Sequence, residues 1–427
     1  MSDQRPRSSG SPIPGIARHG RLKMFGPWRA LLTIVAAALA VVLVAGVSVA
    51  SIATYQITGA VAKNQIDIHP GESPAPPPGV GAYAGGFNVL IVGDDTRAGQ
   101  GGIGAGADDS GALNDVTMLI HVSGDHTFAT AVSFPRDMIV PHPQCPVGGT
   151  SAGLPVNTAL SYGGLPCVVD VIEAFTGVKI QFAGLITFDG VINMSDAVGG
   201  VQVCVSGNMN DKEVGLHLTS GYHTLTGAQA LEFLRSRHGV GDGSDLGRIS
   251  SQQVYLSSLV RKIDSQNTLS NPVTVYKLAT AATRSMQLSS SLDSVDTLIA
   301  LAQALKGIPL NRVQFVQYPG STGGTGIYSG KVQPNLALGN QLFNLIRADK
   351  PFQLGTQGDN RGSVQATQPP PSTPSTKPST APSTAPSAAP SSAAGRSTKG
   401  ETTVNGLVGQ SAADQTCSKA NQNNGEG

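Results

Sequence analysis

The stretch from Phe87 to Gly99 reads FNVLIVGDDTRAG, and it decides the fold class. Val89, Leu90, Ile91 and Val92 follow one another without a polar break. Such a run marks a short strand buried on both faces, and Gly93 ends it. Asp94, Asp95 and Arg97 come directly afterwards. Charge gathered behind a buried strand is the pattern of an α/β sheet, in which ligands sit outside the strand ends. Working outward, Val116 to Val122 and Thr127 to Phe134 read as further strands, the latter arrested by Pro135. Ile180 to Phe188 and Val201 to Val205 are also strand-like, and Val313 to Tyr318 reads as a closing strand. Helical spacing covers Val168 to Phe175, stopped by Gly177, then TGAQALEFL opened by Thr226, and Asp293 to Leu305. A long amphipathic helix follows Asp245, with Ile249, Leu256, Leu259, Val260 and Ile263 on its apolar side. The expected fold is α/β, a three-layer α/β/α sandwich with a mixed central sheet over residues 87–350.

Much of the remaining chain is not core. Charged residues are 13% of the 427, about half the ~25% of an ordinary globular domain, and 53 Gly with 28 Pro point to long stretches that bury little. Ala30 to Ala53 carries no charge and is dominated by Leu, Ile, Val and Ala. At ~1.5 Å per residue it is long enough to cross a ~30 Å hydrocarbon core. It exceeds the ~7–15 residue apolar region of a cleaved signal peptide, and it lacks the polar stripe of a core helix. Arg5, Arg7, Arg18, Arg21, Lys23 and Arg29 precede it against a single acid, Asp3. The positive-inside rule then predicts a cytoplasmic tail (1–29) and one transmembrane helix (30–55) at the cell membrane, with everything beyond extracellular. Residues 56–86 read as a Pro/Gly-rich spacer, 351–403 as a Pro/Ser/Thr-rich linker, and 404–427 as a cysteine-containing tail.

Net charge is +1, from 28 Lys+Arg and 27 Asp+Glu, which excludes a diffuse polycation built for nucleic acid. The arginines that matter are local. In LRSRHGVGDGSDLGRISSQQ, Arg235 and Arg237 are two apart and face one side of an extended stretch. Asp245, Arg248 and Gln252 are three and four apart, on one face of a helix. The intervening GVGDGS lets the chain reverse and bring both groups together. Converging guanidiniums repel unless an anion sits among them, and planar forks fit phosphate oxygens. A diphosphate is the simplest such anion. Asp115 before the second strand and Arg136 with Asp137 after the third join Asp95 at strand ends, where carboxylates suit a hard cation such as Mg²⁺. A structural Arg–Asp network is the competing explanation. No H-E-x-x-H, GxxxxGK[ST] or CxxC motif is present. Among the histidines, His238 alone neighbours the cluster in sequence, and it reads as scaffold rather than general base.

Seven blocks in order carry a resemblance: FNVLIVGDDTRAG, LNDVTMLIHV, SFPRDMIV, VNTALSYGG, ITFDGVINMSDAVGGVQVCV, LTGAQALEFLRSRH and GDGSDLGRISSQQ. Over residues 87–320 the chain resembles the LytR-CpsA-Psr family of cell-envelope proteins, in its actinobacterial form. The resemblance implies a Mg-dependent (or Mn-dependent) phosphotransferase, membrane-anchored, that moves a glycopolymer from a polyprenyl-diphosphate carrier to peptidoglycan. It implies that Asp95 and Asp115 bind the metal, that Arg136, Arg235, Arg237 and Arg248 grip the diphosphate with help from Arg97, and that Asp245 and Gln252 orient the arginines. Leu113 and Pro155 stand where many members carry a cation, a departure that bears on donor or acceptor identity. An apolar tunnel for the lipid is also implied, and Val89, Ile91, Leu185, Phe188, Phe233, Tyr255 and Leu259 suit it or ordinary core equally. The alternatives are a polyprenyl-diphosphate hydrolase using water as acceptor, and a non-catalytic envelope regulator or scaffold. Direct DNA binding is disfavoured, since residues 1–29 leave no room for a helix-turn-helix. In an exported domain Cys145, Cys167, Cys204 and Cys417 have three possible connectivities, of which Cys145–Cys167 and Cys204–Cys417 are favoured.

Overall fold

The computed structural model describes residues 65–71, 82–95, 113–142, 145, 150–265, 274, 278, 281–282, 286–292, 295–357, 360–367 and 401–422. The expected cytoplasmic tail and transmembrane helix, Arg97, and the Pro/Ser/Thr repeats lie outside them. Among the described residues no helix is long and apolar enough to cross a membrane.

Two sheets are built from β1 (Gln65–Ile66), β2 (Phe87–Asp94), β3 (Asn114–Val122), β4 (Ala129–Phe134), β5 (Phe182–Ile186), β6 (Val201–Ser206), β7 (Gly221–Leu225), β8 (Met286–Ser289), β9 (Val313–Gln317), β10 (Phe352–Gln357), β11 (Ser363–Gln365), β12 (Thr402–Ser411) and β13 (Thr416–Lys419). The helices are α1 (Ala159–Thr176), α2 (Phe188–Ala197), α3 (Gly227–Arg235), α4 (Asp245–Ser265), α5 (Val295–Leu305) and α6 (Leu336–Arg347). The central sheet runs β1-β8-β5-β2-β3-β4-β9-β12-β10. It is mixed: β2 pairs antiparallel with β3 but parallel with β5, and β4 pairs parallel with β9. The smaller sheet runs β7-β6-β13-β11.

Strand alternation assigns the faces. Leu90, Val92, Leu119 and Val132 turn to one side and pack with Leu165, Val169 and Ile172 of α1 and Phe343 of α6. Met118, Ala131 and Phe315 turn to the other, against Leu256 and Val260 of α4, and Phe87 and Phe182 meet Leu301 of α5. Helices thus cover both faces, as a buried mixed sheet requires. α4 is also covered on its outer side by the smaller sheet, whose Val203 and Val205 pack with Tyr255 and Leu259. An amphipathic helix was expected here. Being sandwiched between two sheets, it is instead buried almost continuously from Leu246 to Ser258. Its polar residues are bonded inward: Ser251 Oγ to Ser418 Oγ at 2.7 Å, and Ser257 Oγ from Gln410 Nε2 at 2.7 Å.

Three differences from the sequence reading have simple causes. The segment Ile180 to Phe188 is strand only to Ile186, because Thr187 accepts a hydrogen bond from Gly190 N at 3.2 Å and caps α2. α1 starts nine residues before Val168, at Ala159, and absorbs non-helical Gly163 and Gly164 (φ +67°) before resuming at Pro166 and ending on left-handed Gly177 (φ +67°). Most important, Val313 to Tyr318 does not close the sheet. β12 pairs antiparallel with β9, Gln314 opposite Ser411, and β10 pairs parallel with β12. The structured domain therefore continues past residue 350 into the stretches assigned to a linker and a tail. It also begins before Phe87: Gln65 and Ile66 pair with β8, and the Tyr83 ring lies 5.3 Å from that of Phe87. Both favoured disulfides are formed, Cys145–Cys167 and Cys204–Cys417, the second joining residues directly opposite on parallel β6 and β13.

Candidate active site

The site is assembled at one end of the central sheet. β2 and β3 register Gly93 with Val116 and Asp94 with Asn114, leaving Asp115 as the extra residue of a bulge. Bulges re-aim side chains, and this one turns Asp115 towards the sheet end. Asp95 is held beside it: Asp95 N donates to Leu113 O at 3.2 Å and Leu113 N to Asp95 Oδ1 at 3.1 Å. Pro135 stops β4, so Arg136 emerges at the same end, and its Nη1 donates to Asp115 Oδ1 at 2.5 Å. From α4 come Asp245 and Arg248, one turn apart, with Arg248 Nη2 2.6 Å from Asp245 Oδ1 and 2.9 Å from Asp115 O. Asp245 Oδ2 also accepts from Arg136 N at 3.2 Å. Ser244 caps this helix by accepting from Gly247 N at 3.1 Å, and Asp245 occupies its first turn, where the helix dipole favours a carboxylate.

Arg235 is the last residue of α3, with its guanidinium carbon 4.3 Å above the Phe188 ring. Arg237 follows an extended Ser236, so the pair spans a helix end rather than an extended strand. Asp95, Asp115, Arg136, Arg235, Arg237 and Arg248 all line one cavity of about 230 Å³. Gln252 stands apart from the guanidiniums. Its Nε2 donates to Leu234 O at 2.9 Å, setting the last turn of the helix that carries Arg235.

The charges are strained against one another. Burial pushes Asp115 up, but Arg248, Arg136 and Arg237 more than cancel this and hold it below the usual aspartate range. Asp95 is pushed up, chiefly by burial and then by the nearby Asp115 and Asp94 carboxylates, despite the Leu113 N–H and Arg136. Arg237 is pushed down, by burial and then by repulsion from Arg136 and Arg248. Arg136 Nε and Arg248 Nε are buried without a hydrogen-bond partner. The arginine side of the site thus keeps two buried donors for which the protein supplies no acceptor. No group of three or more His, Cys, Asp or Glu among the described residues is placed to cage a metal. Two carboxylates fit Mg²⁺, which ordinarily takes one or two together with phosphates and water.

Asp211, Glu213 and His238 line the same cavity, and sequence reasoning gave the two acids no part in it. His238 Nδ1 is 3.4 Å from Glu213 Oε2. Asp211 is 2% exposed and accepts from Ser236 Oγ, Arg237 N and Gly239 N at 2.8, 3.0 and 3.2 Å, so it shapes the arginine loop. Asp211→Ala is expected to cost about 2 kcal/mol of stability and to weaken binding of inorganic diphosphate, whereas Asp211→Asn, which keeps an acceptor oxygen, recovers most of both. Identical binding and melting for Asp211→Ala and the parent chain would refute this role.

A separate, apolar cavity of about 270 Å³ lies between the central sheet and the far half of α4, with Ile120, Ala131, Val260, Ile263 and Phe315 in its walls. None of the seven residues weighed for a lipid tunnel lines it. Leu185, Phe233 and Tyr255 are core, and Phe188 lies under Arg235.

The sequence profile of the LytR_cpsA_psr family matches residues 44–342. The cell wall biosynthesis protein LcpA of Corynebacterium glutamicum is 29% identical over 282 residues, covering 59% of this chain and 53% of that protein. The polyisoprenyl-teichoic acid–peptidoglycan teichoic acid transferase TagU of Enterococcus faecalis is 29% identical over 213 residues, covering 49% of this chain and 63% of that protein. The chain thus spans between about half and two thirds of these relatives. A Streptococcus agalactiae protein of solved structure shares the fold, with a TM-score of 0.50 at 21% identity over 62% of this chain and 88% of that one. With the profile running through the sheet, the bulge and the arginine helix alike, the chain belongs to the LytR-CpsA-Psr family.

Proposed function

We propose that the chain is a membrane-anchored phosphotransferase that moves a polyprenyl-diphosphate-linked glycopolymer onto peptidoglycan. The observation that carries this reading is the cavity in which Arg136, Arg235, Arg237 and Arg248 face Asp95 and Asp115. The arginines would bind the non-bridging oxygens of the diphosphate, and the two orphaned Nε–H groups supply donors that the protein itself leaves unused. Mg²⁺ held by Asp95 and Asp115 would neutralise charge on the same oxygens. An acceptor hydroxyl then attacks the sugar-bearing phosphorus. The new P–O bond forms as the bond from that phosphorus to the bridging oxygen breaks, polyprenyl phosphate departs with the bridging oxygen, and the hydroxyl proton is lost. Fixed guanidiniums stabilise the charge spread over the phosphoryl oxygens without reorganising during the reaction. His238, beside Glu213 at the cavity wall, would accept that proton, a role in place of the scaffold one expected from sequence. The apolar cavity suits the isoprenoid tail. It lies along the same helix as Arg248, and twelve residues to Val260 span roughly 18 Å.

The test is direct. The purified chain, given polyprenyl-diphosphate saccharide, Mg²⁺ and peptidoglycan, is expected to transfer the saccharide. Arg235→Ala and Asp115→Ala should lower kcat/KM on the order of 10²–10³-fold. Val260→Trp, filling the apolar cavity, should raise KM for long-chain but not short-chain lipid. Absence of both transfer and diphosphate cleavage, or unchanged rates in Arg235→Ala and Asp115→Ala, would sink the assignment. Cleavage without transfer would make water the acceptor.

A further inference from the structure

β4 and β9 pair in parallel with Ser133 opposite Gln317, so their carboxyl ends lie side by side. Arg136 follows the first and Tyr318 the second. One strand over from the arginines, at this same end, the chain opens a cleft of about 770 Å³, against about 230 Å³ for the arginine cavity. Its walls come from the end of β9 and the turn after it, from the start of α6, and from C-terminal residues that include Asn360, Gln365 and Leu407. That C-terminal part lies beyond the family match, which ends at residue 342. The chemistry proposed above uses none of it.

The lining is specific in character. Gln317, Asn335, Asn360 and Gln365 present amides and Ser321 a hydroxyl, while Arg361 is the one charged residue among the described lining. A polyanion would call for several cations and a basic peptide for carboxylates. A lipid would call for a continuous apolar wall. Amides, which donate and accept at once, match sugar hydroxyls, which do the same. Gln317 adds an independent sign. It is 5% exposed, and its amide oxygen is buried with no hydrogen-bond partner. Buried acceptors are normally satisfied, and Gln317 lines the cleft, so a turn of its side chain would offer this unused acceptor to a ligand hydroxyl.

We infer that this cleft binds a run of neutral sugar residues and holds the glycan of one substrate beside the diphosphate site. The inference rests on the transferase reading for its placement, but its test does not. The full chain is titrated by calorimetry with a tetramer of N-acetylglucosamine, standing for a wall strand, and with a galactose tetramer, standing for a neutral carried polymer. At least one is expected to bind, the stronger one naming the source. Gln317→Leu should weaken that binding tenfold or more while leaving Tm unchanged or raised, because it removes an unpartnered buried polar atom. Gln365→Ala, at an exposed position, should weaken it without any effect on folding. Arg235→Ala should leave it unchanged. The inference is overturned if neither tetramer binds at millimolar concentration, if Gln317→Leu and Gln365→Ala bind as the parent does, or if a glycerol-phosphate tetramer binds better than either sugar. The titration needs neither lipid nor metal. Sugar binding without transfer therefore overturns the transferase reading alone, and transfer without sugar binding overturns this one.

Discussion

Replacing Arg248 with alanine is expected to lower Tm by roughly 10 °C and to abolish transfer. The side chain is 4% exposed and sits between Asp245 and Asp115. Its removal leaves two enclosed carboxylates without their main counter-charge, a lesion that costs about 3–5 kcal/mol, and in a domain of this size each kcal/mol moves Tm by about 2–4 °C. Burial alone would raise Asp115, and Arg248 is the foremost of the groups that hold it low instead. A carboxylate with a depressed folded value stabilises the fold above its unfolded value. The advantage of the parent over Arg248→Ala should therefore be complete above the ordinary aspartate value near 3.8, and fade as falling pH protonates Asp115. Thermal melts at several pH values measure this. Arg248→Met combined with Asp245→Leu should regain much of the stability but none of the activity, because apolar groups satisfy the fold but not a diphosphate. An Arg248→Ala protein that melts with the parent would mean that the network does not hold the sheet end together.

Loss of the Cys204–Cys417 bond is expected to be the other large effect. The bond closes a loop over a separation of 213 residues, and the chain-entropy estimate for that length is about 5 kcal/mol, against about 3 kcal/mol for the separation of 22 at Cys145–Cys167. Cys417→Ser should therefore melt well below Cys145→Ser, and reductant should lower Tm of the parent but shift Cys417→Ser less. The helix that carries Arg248 should suffer as well. Arg261 Nη1 holds Ala412 O and Asp414 O, each at 2.8 Å, and Gly241 N, in the loop before α4, donates to Lys419 O at 2.8 Å. Peptide mapping without reductant that found Cys417 free or joined to Cys145 would contradict this pairing. Equal melting of the two serine variants would remove the argument from loop length.

The central strands were legible because their apolar runs have no other use, and the arginine group because charge is scarce in this chain. Asp245 to Gln252 could be placed on one helical face from spacing alone. Asp95 and Asp115 needed only the assumption that strand ends meet. β12 escaped notice because TTVNGLVGQS is rich in Thr, Gly, Asn and Gln. Strand pairing and a partner helix with polar side chains stabilise it, through Gln410 and Ser257, rather than apolar alternation. Asp211 escaped for a similar reason: it accepts hydrogen bonds from the Ser236 hydroxyl and from the Arg237 and Gly239 backbone N–H groups of a loop 25 to 28 residues distant, which no local pattern encodes. Gln252 could be placed on its helix face by spacing, but its bond to the Leu234 carbonyl could not, since a spacing rule finds neighbours on its own helix and not on another.

β12 lies between β9 and β10 although its sequence falls within the last thirty residues of the chain. The consequence is one of order in time. Every strand before residue 366 can be synthesised, and most can pair, while a strand-wide slot beside β9 stands open and β10 has no neighbour to bond to. Until the C-terminus emerges, Cys204 waits as a thiol in a chain that already contains Cys145 and Cys167. Prompt closure of that shorter pair removes the two wrong partners, so the local disulfide protects the fidelity of the distant one. A chain released early would carry an unfilled slot and an unmatched thiol together, two hazards for association that the finished protein does not have.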